Sequence, residues 1–255
     1  MSAWSTVWIT GASRGIGAAL ALEFASRGCT VAISARSADD LQQLAEQAQS
    51  LGLPGKLVPF ALDVTDAAAC REAVTAIETE LGAIDLALLN AGTHRPVTLA
   101  EFSPAPYLEL MQLNYFGVVN GVAALLPQWR ARGTGHLAIV ASVAGYRGLP
   151  TASAYGASKA ALINFAEALQ PEFRQQGLAL SLVNPGFVRT PLTDRNDFPM
   201  PFLLEADDAA RRIVRGLEKN RFEIAFPWRF VFWLKLMRLL PYRLYFPLVT
   251  RMTRT

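Results

Sequence analysis

Six short runs rich in β-branched residues and leucine, at positions 6–10, 30–35, 57–62, 85–90, 136–141 and 179–184, are separated by longer stretches with helical periodicity. Repeated strand–helix–strand units close only as right-handed crossovers, so the alternation predicts a parallel sheet covered by helices on both faces. Such a doubly wound α/β sheet needs much apolar material. The chain supplies it, with 52% hydrophobic and 18% charged residues, a balance that also rules out disorder. Across 255 residues nothing resembles a linker, so one core is expected. The rhythm closes with EIAF at 223–226, which sets residues 1–226 apart from a tail at 227–255. In this architecture ligands bind beyond the carboxyl ends of the strands, where the strand order reverses.

Directly after the first run stands TGASRGIG, 10–17, which opens a helical stretch. Gly11, Gly15 and Gly17 let the backbone turn tightly and approach a pyrophosphate, whose charge a helix N-terminus stabilises. The end of the second run, where an NAD-binding chain places an acid for the ribose hydroxyl, reads Ser34-Ala35-Arg36. Arg36, with Arg14 inside the glycine turn, can neutralise a 2′-phosphate, which points to NADP(H).

YGASK places Tyr155 and Lys159 four residues apart at the start of a helical stretch, hence on one face. A neighbouring ammonium favours the phenolate, so Lys159 is expected to lower the pKa of Tyr155. Ser142, at the end of the fifth run, can hold a substrate oxygen beside that phenol.

Taken in order, TGASRGIG, Asp63-Val64, Asn90-Ala91-Gly92, Asn114, Ser142, Tyr155, Lys159 and Pro185-Gly186 with Thr190 resemble the classical short-chain dehydrogenase/reductase family from about residue 4 to about residue 225. The resemblance implies a single-domain Rossmann fold and a catalytic set of Asn114, Ser142, Tyr155 and Lys159. In the family's mechanism the tyrosine protonates a carbonyl oxygen as hydride arrives from the nicotinamide, and the serine hydrogen-bonds that oxygen. The lysine also holds the nicotinamide ribose, and the asparagine helps hold a water that relays protons. The cofactor set implied is Gly11, Ser13, Arg14, Gly15, Ile16 and Gly17 at the pyrophosphate turn, Arg36, Asp63 and Val64 toward the adenine, and Asn90, Ala91 and Gly92 beside the adenosine ribose. Tyr155, Lys159, Pro185, Gly186, Val188 and Thr190 complete it at the nicotinamide end. The partner implied is a small-molecule carbonyl or hydroxyl substrate, and the assembly a homo-oligomer, dimer or tetramer. Pro171 is expected to end or kink the helix begun at Tyr155, which makes a standard tetramer unsafe to carry over.

Two regions escape the strand–helix rhythm. Residues 186–205 form a segment too long for an ordinary connection; its Phe187, Leu192, Phe198, Met200, Phe202 and Leu203 suit a substrate lid. His94, Arg95, Tyr146 and Arg147 flank the expected pocket as rim residues. The tail, with WRFVFWLKLMRLLPYRLYFPL at 228–248, reads as two helices parted by Pro241. From Ile224 onward there are six basic residues, Arg229, Lys235, Arg238, Arg243, Arg251 and Arg254, and no acid. Trp, Phe and Tyr among Arg and Lys is the composition of a monotopic anchor, so peripheral membrane contact through 228–254 and a lipid-like substrate are expected. A subunit interface is the open alternative. Nucleic acid is not expected, for want of a binding motif.

The two cysteines, Cys29 and Cys70, lack metal-ligand spacing and read as packing residues, so no metal is expected. The N-terminal MSAWSTVWIT has no signal-peptide pattern, and Lys235, Arg238 and Arg243 interrupt the tail, so the chain is expected in the cytoplasm, resting if anywhere on the membrane's cytoplasmic face. The rival to an NADP(H)-dependent oxidoreductase is a scaffold that senses NADPH and recruits a partner through the tail.

Overall fold

The structure, a computed structural model, describes residues 3–193 and 200–253, with side chains as far as Arg251. Phe198 of the expected lid and Arg254 of the tail fall outside the described residues.

The predicted runs form a parallel sheet: β1 (Thr6–Thr10), β2 (Thr30–Ala35), β3 (Lys56–Ala61), β4 (Leu86–Leu89), β5 (His136–Val140), β6 (Ala179–Pro185) and β7 (Glu223–Phe226), in the order β3-β2-β1-β4-β5-β6-β7. Val7 lies beside Val31 on one flank and Leu86 on the other, so β1 is central and the order reverses between β1 and β4. Every residue of β1, β4 and β5 is buried, as a sheet covered on both faces requires.

Side chains alternate across β1 and divide the core. Val7 and Ile9 meet Leu20 and Phe24 of α1 (Gly15–Ser26), Leu41 of α2 (Ala38–Ser50), and Ile213 and Leu217 of α7 (Ala206–Glu218). Trp8 faces the other way, toward Val74 and Ile77 of α3 (Ala67–Leu81), Leu125 and Trp129 of α5 (Gly117–Arg132) and Leu162 of α6 (Ser153–Gln175). Asp66 caps α3 by accepting from Ala68 N and Ala69 N, and Gly133, at φ +69°, ends α5 in the left-handed conformation. Cys29 and Cys70 are buried within these two layers as packing residues.

The helical run 104–132, formed by α4 (Pro104–Met111), a π-helical turn at Gln112–Phe116, and α5, is by length and composition apolar enough to cross a membrane. Seven of the sixteen residues of α5 are buried against the sheet and α3, which accounts for that apolarity as core.

Pro171 neither ends nor interrupts its helix, contrary to the sequence expectation: α6 runs unbroken from Ser153 to Gln175. The proline lies near the C-terminal end, where it forfeits one intrahelical hydrogen bond, and Phe173 beyond it is buried in the core and holds the last turn in place.

The tail does not trail away. It folds into α8 (Trp228–Arg238) and α9 (Tyr242–Thr253), and Val231, Leu234, Met237, Tyr245 and Val249 join the same core layer as Trp8 and Leu162.

Candidate active site

A cleft of about 370 Å3 opens along the carboxyl edge of the sheet at the β1/β4 switch point. It gathers the loops after β1 to β6: the turn from Gly11 to Ile16, Ala35 to Ser37, Leu62 to Val64, Asn90 to Thr93, Val140 to Ser142 and the stretch from Pro185 to Thr193. Tyr155 and Lys159 reach it from the first turns of α6. Every residue of the implied catalytic and cofactor sets lines this cleft except Gly17 and Asn114, which lie just behind it.

Gly17 is where the turn meets its helix: a Cβ there would collide with the Gly11 carbonyl and stand 2.7 Å from Asn90 Nδ2. Asn90 Nδ2 donates to the carbonyls of Thr10 and Gly11, both at 3.1 Å, and Thr10 Oγ1 accepts from Asn90 N (3.0 Å) and Ala91 N (3.2 Å). The side chain of Asn90 therefore braces the glycine turn, and its backbone faces the cleft. At Gly15, φ is +59° and a Cβ would sit 3.1 Å from Thr190 Cγ2, so only glycine keeps that passage open.

Asn114 occupies the π-helical turn and is fully buried. Its Oδ1 accepts from Thr93 N (2.8 Å), while Nδ2 donates to Thr93 O and Ser158 Oγ, both at 3.0 Å. It ties the loop after β4 to the helix that carries Tyr155. No sequence signal announces a π turn here.

Ser142 lies two residues past β5, with its Oγ accepting from Ala144 N (3.1 Å) and lying 3.4 Å from Pro185 O. Lys159 Nζ is buried, donates to Val140 O at 2.9 Å, and sits 5.8 Å from the centroid of the Tyr155 ring. Burial pushes Lys159 down to about 8. Burial also raises Tyr155, against a smaller opposing pull from the Ser142 hydroxyl. The sequence expectation that Lys159 lowers the pKa of Tyr155 is thus reversed in the protein alone, where burial is the largest influence on the phenol.

Among the rim residues, His94 packs edge-on against Tyr155 with ring centroids 4.7 Å apart, and burial lowers its pKa. Arg95 is exposed and 3.7 Å from Glu109. Tyr146 and Arg147 do not flank the pocket as expected. Tyr146 donates to Glu223 Oε1 (2.6 Å), which also accepts from Asn184 Nδ2 (3.0 Å), and Arg147 turns to the tail helices. Residues the sequence reading passed over include Asp40, Ser37, Leu113, Pro191 and Thr193, which line the same cleft. Thr193 Oγ1 donates to Val188 O at 2.7 Å and accepts from Thr190 N at 3.0 Å, fixing the turn after β6.

The cleft fits a nicotinamide dinucleotide. The first turn of α1 has neither an acidic side chain nor a side-chain cap, so its free N–H groups face the cleft and suit a pyrophosphate. At the β2 end, the exposed Arg14 and Arg36 stand with Asp40 and Asp63; Asp63 is held below the usual carboxylate range chiefly by hydrogen bonds from Thr65, with a smaller contribution from Arg36. Among the described residues no His, Cys, Asp and Glu cluster could hold a metal ion.

Comparison with known proteins agrees with this geometry. Residues 5–198 match the family model described as short chain dehydrogenase. An uncharacterized oxidoreductase of Myxococcus xanthus is 37% identical over 238 residues, 93% of each chain. Among solved structures, a short-chain dehydrogenase/reductase from Burkholderia phymatum in complex with NAD superposes with TM-score 0.83 over 91% of this chain and 92% of that one, at 24% identity. An alcohol dehydrogenase from the archaeon Thermococcus sibiricus, complexed with 5-hydroxy-NADP, gives TM-score 0.78 at 26% identity over 87% and 95%.

Proposed function

The chain belongs to the short-chain dehydrogenase/reductase family, whose members are oxidoreductases, and we propose that it transfers hydride between NADP(H) and a lipophilic carbonyl compound or secondary alcohol. The observation that supports this most is the convergence of Ser142, Tyr155 and Lys159 with the glycine turn in one cleft. When bound, the nicotinamide supplies or accepts the hydride. Tyr155 gives its phenolic proton to the carbonyl oxygen during reduction, and burial, which keeps that proton on at neutral pH, favours this role. Ser142 donates a hydrogen bond to the same oxygen. Lys159 holds the nicotinamide ribose and replenishes the phenol's proton. Asn114 holds Thr93 and Ser158 in place around them.

Gly11 to Gly17 would cradle the pyrophosphate, Asp63 and Val64 would border the adenine, and Pro185, Gly186, Val188 and Thr190 would border the nicotinamide. Structures in this fold carry either NAD or an NADP derivative, so the choice rests on this chain's own residues. Arg14 and Arg36 favour a 2′-phosphate, and the end of β2, where an acid would meet the ribose hydroxyl of NAD, carries Ala35 and Arg36 instead.

The lipophilic substrate is supported by the mouth. Phe187 and Phe202 of the expected lid lie tilted against Phe230 of α8, and Leu192 lines the cleft. We place the enzyme in the cytoplasm, as a homo-oligomer, with peripheral membrane contact through the tail. The complete catalytic set weighs against a scaffold that senses NADPH without turning it over.

Purified protein assayed for NADPH consumption against keto compounds of increasing acyl length should give rates that climb with length. Tyr155→Phe should lower kcat by about a hundred- to ten-thousand-fold while NADPH binding, followed by fluorescence, stays close to wild type. Turnover retained by this variant would remove Tyr155 as the acid.

A further inference from the structure

From Ile224 to its end the chain carries six basic residues and no acidic one. The structure sorts this stretch into two faces. Val231, Leu234 and Met237 of α8 and Tyr245 and Val249 of α9 form a buried seam. Away from the seam stand Trp228 (69% exposed), Phe232 (57%), Trp233 (59%), Leu236, Leu239 (79%), Tyr242, Leu244 and Phe246. Trp228, Phe232, Leu236 and Leu239 recur at helical spacing along one stripe, and Arg229 borders it, 5.5 Å from the Trp228 ring. On α9 the rings of Tyr242 and Phe246 stack at 5.4 Å, and Arg243 and Arg251 of the same helix are exposed.

This pair of helices is held rigidly against the body. Arg147 donates to the C-terminal carbonyls of α8, Met237 O at 2.5 Å and Leu240 O at 2.8 Å, and packs over Tyr245 at 3.8 Å. Tyr245 donates to Gly148 O at 2.5 Å, and Lys235 pairs with Glu223. Arg147 lies five residues past Ser142. At the other end, Phe230 lies 5.6 Å from Phe187 and 6.3 Å from Phe202, and would touch any Cβ on the cleft residue Gly186 at 3.0 Å. The tail thus meets the cleft at Gly186 through Phe230, and is fastened through Arg147 and Tyr245 to the segment that follows Ser142.

Charge decides what covers that plane. A two-fold contact with a second copy would bury Arg229, Arg243 and Arg251 of both copies in one interface, with no acid among residues 224–255 to pair them. A bilayer containing anionic lipid complements the arginines at its head groups and receives Trp, Tyr and Phe at its interface. We propose that the outward face of α8 and α9 is a docking plane for an anionic bilayer, and that Phe230, packed on Phe187, Phe202 and the cleft residue Gly186, joins this plane to the cleft so that substrate passes from the bilayer along α8. The docking plane stands on its own observations, whereas the passage rests on the lipophilic-substrate reading above.

The test uses the full chain and sedimentation with vesicles of phosphatidylcholine, with and without about one-third phosphatidylglycerol. Wild type should sediment with the anionic vesicles and be released as salt rises. The triple variant Arg229→Glu, Phe232→Ser, Leu239→Ser, whose positions avoid the buried seam, should bind at least about tenfold more weakly. Its melting temperature and its rate on a short water-soluble ketone should match wild type. Absent binding by wild type, or equal binding by the variant, overturns the docking plane. So does a wild-type dimer that the same variant dissociates, which would give the face to a second copy. Vesicle binding with rates indifferent to acyl length keeps the docking plane and overturns the lipophilic substrate instead.

Discussion

At the scale of single residues, burial sets the chemistry more than pairing does. Lys159 falls to about 8 and Tyr155 rises for one reason, the loss of water around each. Arg36, by contrast, stays exposed at the nucleotide end of the cleft, where its value lies in what it meets. Arg36→Ala should lower kcat/KM for NADPH by about 10- to 100-fold, the worth of one or two charge-assisted hydrogen bonds, while NADH turnover changes little; steady-state kinetics with both cofactors checks this. His136 shows the same force acting on stability. Its ring is buried in β5, with Nε2 2.9 Å from Ser181 Oγ, and burial pushes it down to about 4 from an ordinary value of 6.5. Between those values the unfolded chain binds the proton and the folded one does not, so stability falls as pH drops from about 6.5 toward 4, by about 3 kcal/mol at most. Urea unfolding across that range should show the slope. His136→Leu should flatten it, because Ser181 Oγ keeps its bond to the Arg221 carbonyl, at 2.7 Å.

At the scale of elements, the junction of turn and helix is the least tolerant part of the site. Gly17 lets α1 start directly under the Gly11 carbonyl and beside the Asn90 amide that braces the turn. Gly17→Ala must push one of these away, and should cost about 1–3 kcal/mol together with most of the affinity for NADPH; thermal melts with and without the cofactor separate the two losses. The π-helical turn at Asn114 and the proline in α6 teach the complementary point. Local propensity opposes both features, yet the loop after β4 holds the first through Thr93 and the buried Phe173 holds the second.

At the scale of the whole molecule, the tail is a structural wall of the body as well as the surface that we propose docks on lipid. Five of its side chains lie in the core layer shared with α5 and α6, and it anchors the segment that follows Ser142. Each buried side chain of this kind contributes about 1.5–3 kcal/mol, a large share of a total stability of about 5–15 kcal/mol. A chain ended before Trp228 should therefore lose soluble yield and melt at a much lower temperature. A truncated protein as stable as wild type would show the tail to be a mere appendage.

The strands and their order of appearance, the glycine turn, and Ser142, Tyr155 and Lys159 were legible in the sequence because each depends on local spacing: a period of two or of 3.6, a glycine where a turn closes, a phenol and an amine one helical turn apart. Contacts between distant segments were not. The bracing role of Asn90, the reversed pKa balance at Tyr155, Asp40 in the cleft, and the turning of Tyr146 and Arg147 away from the pocket all depend on which loops the parallel sheet brings to one edge. Sequence alone determined that this tail is aromatic and basic. Only the tertiary structure decided which of its residues are core and which face outward, because that division is made by the surface of the sheet layer the helices pack against.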